Sequence, residues 1–345
     1  MVRRRSAMIW PVLALFARRL LVAIPILLVV SVLVFAVLRL LPVDPAAMSM
    51  PPNATKAEIE AKRREMGLDR PLPEQYAIWL RQTLAGDLGT SIHFRRGVAG
   101  LIAETLPATV ELAVLAMLIA VALGFAGGLL LFHLRDTWRG EAADLGSTAL
   151  MSAPDFLWGL IFILAFGVAW PLLPFTGRLA ASFARPVHTG FLLLDTLIEG
   201  RPDMFLDALK HMLLPAAALG IAFAVPIMRV LRSSLHEVDR ADYILQARLR
   251  GLSEGRILLR HSLKNAVLPT LTLTGVQFGF LFGGTLLIEV IYSYPGLGNL
   301  MVDAVRNADL PIIQGVALAY AAVVLAINMI VDGLYLMLNP RLRAS

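Results

Sequence analysis

The groups best suited to chemistry in this chain are its six histidines, at His93, His133, His188, His211, His236 and His261. No two of them stand at metal-ligand spacing, and His236-Glu237 lacks the second histidine four residues on that a zinc-hydrolase helix requires. No G-x-x-x-x-G-K-[ST] run can cradle a phosphate, and no G-x-S-x-G turn presents a serine nucleophile. Cysteine is absent, which removes disulfides, thiolate nucleophiles and Cys-held metals. The expectation is a chain that is not an enzyme, with no catalytic residues, no metal and no cofactor bound by itself. The remaining candidates are four carboxylates in or beside apolar runs. Glu111, Glu289 and Asp332 fall near run ends, where anchoring at the interface or pairing between helices accounts for them. Asp155 follows Pro154 and is the candidate pathway residue, expected at a helix break facing the pathway.

The runs that must position these groups follow from composition. Of 345 residues, 58% are hydrophobic and only 16% charged, against about 25% in soluble domains. Mean hydropathy is +0.72, which excludes disorder and an ordinary soluble enzyme. A hydrocarbon core of about 30 Å needs roughly 20 helical residues. Six runs meet or approach that length: Leu20–Leu41, Leu106–Phe132, Leu145–Val168, Met212–Met228, Val267–Ile288 and Pro311–Val331. They lack the alternation of a barrel, so the predicted class is an all-α membrane protein of six transmembrane helices. The first run is too long for the apolar part of a signal peptide and is expected to stay as a helix.

Short-loop basic residues set the predicted orientation. Arg3, Arg4, Arg5, Arg18 and Arg19 precede the first run, eight Lys and Arg lie between Arg229 and Lys264, and Arg341 and Arg343 close the chain. Both termini are therefore expected in the cytoplasm of a multi-pass protein. The pI near 10 reflects these anchors, and no nucleic-acid partner is expected. The predicted organisation is a cytoplasmic N-terminus at 1–19, a first span at 20–41, and an external segment with short helices at 42–104. A five-helix core follows at 105–338, with an external loop at 169–211 and a cytoplasmic segment at 229–266, before a tail at 339–345. Gly124 with Gly128, and Gly279 with Gly283, form two small-xxx-small pairs suited to close helix packing.

The cytoplasmic segment is too long for a connector. Ala241–Arg248 predicts a helix, Gly251 a turn, and Ser253 the cap of a second helix through Arg260. Leu249, Leu252, Ile257 and Leu258 among fixed charges predict a docking surface rather than a loop held only by anionic headgroups. Gln246-Ala247-Arg248-Leu249-Arg250-Gly251-Leu252-Ser253, followed by His261 through Pro269, resembles the ATPase-docking EAA region of binding-protein-dependent ABC importer permeases, in the spacing of the dipeptide, oligopeptide and nickel branch. The resemblance extends over nearly the whole chain. It takes in Arg18-Arg19-Leu20-Leu21, Gly67–Leu72, Gly86–Ser91, Leu106–Leu112, Glu289–Gly298 and Asn339-Pro340-Arg341. It departs at Leu245-Gln246-Ala247, which lacks the motif's carboxylate, and at Asn339, where the branch has aspartate.

The resemblance implies a type I ABC importer permease in a bacterial inner membrane, working by alternating access. It implies two cytoplasmic ATPase subunits carrying ATP and Mg, a second homologous permease, an extracytoplasmic solute-binding protein and surrounding membrane lipid. Ala247, Arg248, Arg250, Gly251, Leu252 and Ser253 become the candidate ATPase-docking residues. The implied cargo is a di- or oligopeptide, with nickel or another small solute as alternatives. A self-contained secondary transporter or channel is the competing class.

Overall fold

Small residues recur at three- and four-residue intervals along one face of the second apolar run, at Ala113, Ala116, Ala120, Gly124 and Gly128. That stripe sets the architecture, because helices in lipid associate by close packing rather than by expulsion of water. The computed structural model describes residues 2–40, 44–51, 53–186 and 188–338, with the side chains of 2–18 and 334–338 outside the description. The Asn339-Pro340-Arg341 motif and the 339–345 tail lie outside the described residues.

In chain order the helices are α1 (Val2–Leu40), α2 (Pro45–Met48), α3 (Lys56–Glu65), α4 (Leu72–Leu84), α5 (Val98–His133), α6 (Trp138–Ser152) and α7 (Asp155–Phe162). They continue with α8 (Leu192–Ile198), α9 (Pro202–Asp239), α10 (Asp242–Leu249), α11 (Glu254–Ile257), α12 (Leu263–Ile291), α13 (Leu297–Arg306) and α14 (Leu310–Leu338). Two π-helical stretches, Ile163–Ala169 and Leu258–Ser262, extend α7 and join α11 to α12. No strand occurs among the described residues. Five helices contain stretches long and apolar enough to cross a membrane: Arg19–Leu40, Val98–His133, Pro202–Asp239, Glu254–Ile291 and Leu310–Gly333.

The third expected run, Leu145–Val168, is broken, and counted as one span it brings the total to six. It is a pair of helices, Trp138–Ser152 and Asp155–Ala169, bent by 97°. Pro154 is the cause: the residue before a proline is pushed out of the helical region, and Ala153 is extended at φ −89°, ψ 131°. The fourth span also differs. Its helix runs through both Pro215 and Pro226, from Pro202 to Asp239, because neighbouring helices support the backbone that proline weakens. The 169–211 loop contains α8 and the start of α9, and α5 begins at Val98, within the last residues of the 42–104 segment.

α9 is the centre of the bundle, with α5, α12, α7 and α8 against it. Its contact with α5 admits no extra atoms: a Cβ on Gly124 would lie 2.6 Å from Ile227, one on Gly128 2.9 Å from the Met228 carbonyl, and one on Gly220 2.7 Å from Ile119. Gly279 sits in ordinary contact with Val324 of α14, whereas Gly283 has nothing within 4 Å. α1 lies along α14, with Arg19 and Asp332 paired at 2.7 Å.

The end of the bundle that holds α13 is capped by buried carboxylates. Glu289 of α12, fully buried, accepts from Thr109 Oγ1 of α5 (2.6 Å) and from the amides of Gly298 (2.7 Å) and Asn299 (3.1 Å). Asp309 accepts from Ser91 Oγ (2.6 Å) and the His93 amide (2.9 Å). Glu111 pairs with buried Arg178 and accepts from the Leu193 amide at 2.8 Å. Asp195 of α8 gathers the Thr189 hydroxyl (2.6 Å) and the amides of Thr189 (2.8 Å) and Gly190 (3.1 Å). Burial alone would push the Asp195 carboxyl up, but these hydrogen bonds outweigh it and hold its pKa below the ordinary value.

Candidate functional site

At the opposite end of the bundle α9 stops at Asp239, and the chain makes an elbow before it re-enters the bundle as α12. α10 ends in a Schellman closure: the Gly251 amide donates to the Arg248 carbonyl (2.9 Å) and the Leu252 amide to the Ala247 carbonyl (3.2 Å). That closure needs a left-handed residue, and Gly251 supplies it at φ +77°. α11 starts at Ser253, whose extended backbone takes the cap position although its side chain makes no cap hydrogen bond. The π-helical stretch Leu258–Ser262 then carries the chain into α12 without a break.

A small core holds the elbow. Ile244, Ala247 and Ile257 are buried together, with Val238 and Leu252 packed against them. A second cluster of Phe132, Leu231, Leu235 and Ala266 seats the elbow on the ends of α5, α9 and α12. Arg248 is the polar staple: it bonds Glu254 of α11 (2.8 Å) and Asp239 of α9 (2.5 Å), and Asp239 also pairs with Arg135 (3.1 Å). Glu254 first and Asp239 second hold the Arg248 guanidinium charged, above its already high ordinary pKa. Asn265 donates to the Tyr243 hydroxyl at 2.8 Å, tying α10 to α12.

The six residues expected to dock an ATPase therefore divide. Ala247 and Arg248 face inward and build the elbow, Leu252 is half-buried, and Arg250, Gly251 and Ser253 are exposed. Of the four apolar positions expected on the surface, Ile257 is buried, Leu252 and Leu258 are half-buried, and Leu249 stands 79% exposed. The apolar groups actually presented are Leu245 (56% exposed), Leu249, Leu259 (65%) and Tyr243. Leu245 was missed as a surface group although the signal was in the sequence: it lies four residues from Leu249, on the face of α10 away from Ile244 and Ala247. Apolar side chains this exposed, rimmed by Arg250, Arg256, Arg260 and Lys264, form a surface suited to a protein partner.

Asp155 stands elsewhere, at the first position of α7 just past the 97° bend. Its carboxylate accepts from the Phe156 amide at 2.8 Å, and its other oxygen is 2.9 Å from where a Cβ on Gly284 would be. Half-buried where α7 meets α12 at Gly284, it occupies a helix break. Among the described residues no group of three or more His, Cys, Asp or Glu could hold a metal ion.

Residues 120–344 match the family described as "Binding-protein-dependent transport system inner membrane component", and residues 12–113 match its N-terminal companion. The chain is 39% identical to the di/tripeptide transport system permease protein DppB of Pseudomonas aeruginosa (strain UCBPP-PA14), over 96% of this chain and 99% of that protein. It is 38% identical to the dipeptide transport system permease protein DppB of Escherichia coli (strain K12), over 94% and 97%. It is 35% identical to the glutathione transport system permease protein GsiC of the same strain, again over 94% and 97%. Among solved structures it resembles a chain of the inward-facing MetNI methionine ABC transporter, with a TM-score of 0.53 and 13% identity, covering 69% of this chain and 96% of that one.

Proposed function

The chain belongs to the binding-protein-dependent transport system inner membrane components, as a permease subunit of an ABC importer, and we propose that it carries a di- or oligopeptide and is driven through the α10–α11 elbow by a cytoplasmic ATPase. One observation carries the mechanical part: a prebuilt, stapled elbow, continuous with α12 and seated on α9, that leaves Leu245, Leu249 and Leu259 uncovered. A stiff element joined to two bundle helices transmits displacement, whereas a soft polar loop absorbs it. ATP and Mg belong to the partner ATPases. A second, homologous permease completes the pathway, and an extracytoplasmic binding protein delivers cargo at the end capped by α13. On this reading both termini and the elbow lie in the cytoplasm. The peptide cargo is supported by the relatives, whose names specify di/tripeptide, dipeptide and glutathione. The family sets aside a self-contained secondary transporter or channel.

The test is co-purification from membranes with the native partners expressed. The native chain retains the ATPase subunits, and the Leu245→Asp, Leu249→Asp double variant loses them while keeping its own unfolding temperature. ATPase retention unchanged in that variant refutes the docking surface. Peptide-stimulated uptake with the cognate binding protein, compared with nickel uptake, tests the cargo separately.

A further inference from the structure

The seam between α1 and α4 holds two cavities at different heights, separated by an aromatic contact. Phe35 meets Tyr76 and Trp79 at ring-centroid distances of 5.4 and 5.7 Å, and the Ser31 and Tyr76 hydroxyls are hydrogen-bonded at 2.8 Å. Toward the middle of α1 lies a groove of about 360 Å³, walled by Ile24 and Leu28 of α1, Leu80 and Leu84 of α4, and Leu318 and Ala322 of α14. Beyond the aromatic contact lies a cavity of about 290 Å³ lined by Leu38, Arg39, Asp44, Arg63, Leu68 and Gln75.

The two arginines of the second cavity differ. Arg63 is neutralised by Asp44 (2.6 Å) and Glu60 (3.0 Å). Arg39 stacks over Phe35 at 5.1 Å, and its buried Nε has no hydrogen-bond partner among the described residues. The Oε1 of Gln75 is likewise buried and unpartnered, while its Nε2 is committed to the Leu68 and Arg70 carbonyls. The cavity thus places a guanidinium that no carboxylate pairs among the described residues beside an apolar groove on a membrane-spanning helix, while Arg39 Nε and Gln75 Oε1 themselves are closed off from the surface.

An occupant must carry an anion and a long apolar tail. Arg39 and Leu28 are separated by about 16 Å at 1.5 Å rise per residue, close to half of the roughly 30 Å hydrocarbon core. That is the reach of one lipid within one leaflet. A helix of a partner subunit, about 10 Å across, takes up far more room than the groove's volume of about 360 Å³, and an extended segment brings backbone polar groups that this lining cannot satisfy.

We propose that the seam binds one anionic phospholipid of the phosphatidylglycerol kind, its phosphate on the Arg39 guanidinium and an acyl chain in the α1–α4–α14 groove. The bound lipid fastens α4, which otherwise meets the bundle chiefly through the aromatic contact, to α1 and α14.

The experiment is native mass spectrometry of the full chain, delipidated in mild detergent and titrated with phosphatidylglycerol. Arg39→Gln weakens retention about tenfold, the loss of one charge-assisted contact. Ala322→Trp fills the groove and weakens it comparably, and Leu33→Trp on the exposed side of α1 leaves it unchanged. Both weakened variants keep the native unfolding temperature when lipid-free, which separates a lost site from a lost fold. Equal retention in Arg39→Gln, or of uncharged diacylglycerol by the native chain, overturns the phosphate contact and with it the proposal. Displacement of the lipid by millimolar inorganic phosphate overturns it too, by showing a free-anion site.

Discussion

The two ends of the bundle are held by opposite means. At the α13 end, Glu289, Asp309 and Glu111 are buried carboxylates that knot together segments distant in sequence, and buried Asp195 ties α8 to the turn just before it. At the elbow end, a core of three buried residues is stapled by Arg248, whose partner Glu254 is largely exposed. Buried, fully bonded polar groups specify one arrangement and make departures costly, because each unpaired partner stays away from water. Exposed ion pairs stabilise weakly and let go easily. The capped end is therefore tied mainly by its own buried carboxylates, although Arg178 Nε and Nη1 and the Tyr294 hydroxyl stay buried without a partner among the described residues. The elbow is stiff locally but leaves its outer apolar face for another surface to cover.

The largest expected effect falls on the capped end. Glu289→Ala strands the Thr109 hydroxyl and the Gly298 and Asn299 amides, and costs about 3 kcal/mol or more. Thermal unfolding of the detergent-solubilised chain measures it, and an unchanged midpoint would dissolve the contrast between the ends. Next comes Gly251→Val. Nothing lies within 4 Å of the added Cβ, so the cost is that of a left-handed backbone, about 1–2 kcal/mol and concentrated at one turn. Uptake is expected to fall about tenfold, the same energy expressed as coupling, with the unfolding midpoint nearly constant. A matched fall in both would mean that the elbow is structural only.

Arg248→Gln removes a partly exposed staple and costs about 0.5–1 kcal/mol. Hydrogen exchange of α10 and α11 is the sensitive readout, since global melting hardly registers so small a change. The smallest effect is that of pH on Asp195. Its carboxyl lies below the ordinary value in the folded chain, so its contribution is complete above about pH 3.9 and is lost as pH falls through the folded pKa. Asp195→Asn abolishes that acid dependence, measured as protection of the α8 amides between pH 5 and 3.

Much of this was legible from residue order. The capping sequence at Thr55 and Glu58 starts α3, Gly67 ends the turn after it, and Gly251 closes α10 through the backbone geometry that glycine favours. Such signals are local, as the physics of caps and turns is local. The Pro154 bend was legible in principle from the bias that proline imposes on Ala153, whereas hydropathy shows the run and not the break within it. The run Met212–Met228 already contained Pro215 and Pro226, and its helix extends past both ends of that run, where charged residues lower hydropathy without breaking the helix.

By itself, the sequence determined the membrane class, the long apolar helices, the elbow with its glycine, and a resemblance strong enough to predict the family. Only the tertiary structure decided which side chains of the elbow are spent on its own core and which are left over, turning Ala247 and Ile257 inward and Leu245 and Leu259 outward. It also decided that Glu289 and Glu111 knot segments together rather than anchor helix ends at the interface. Burial and hydrogen-bond partnership depend on residues brought close from far along the chain, and spacing within one helix carries no record of them.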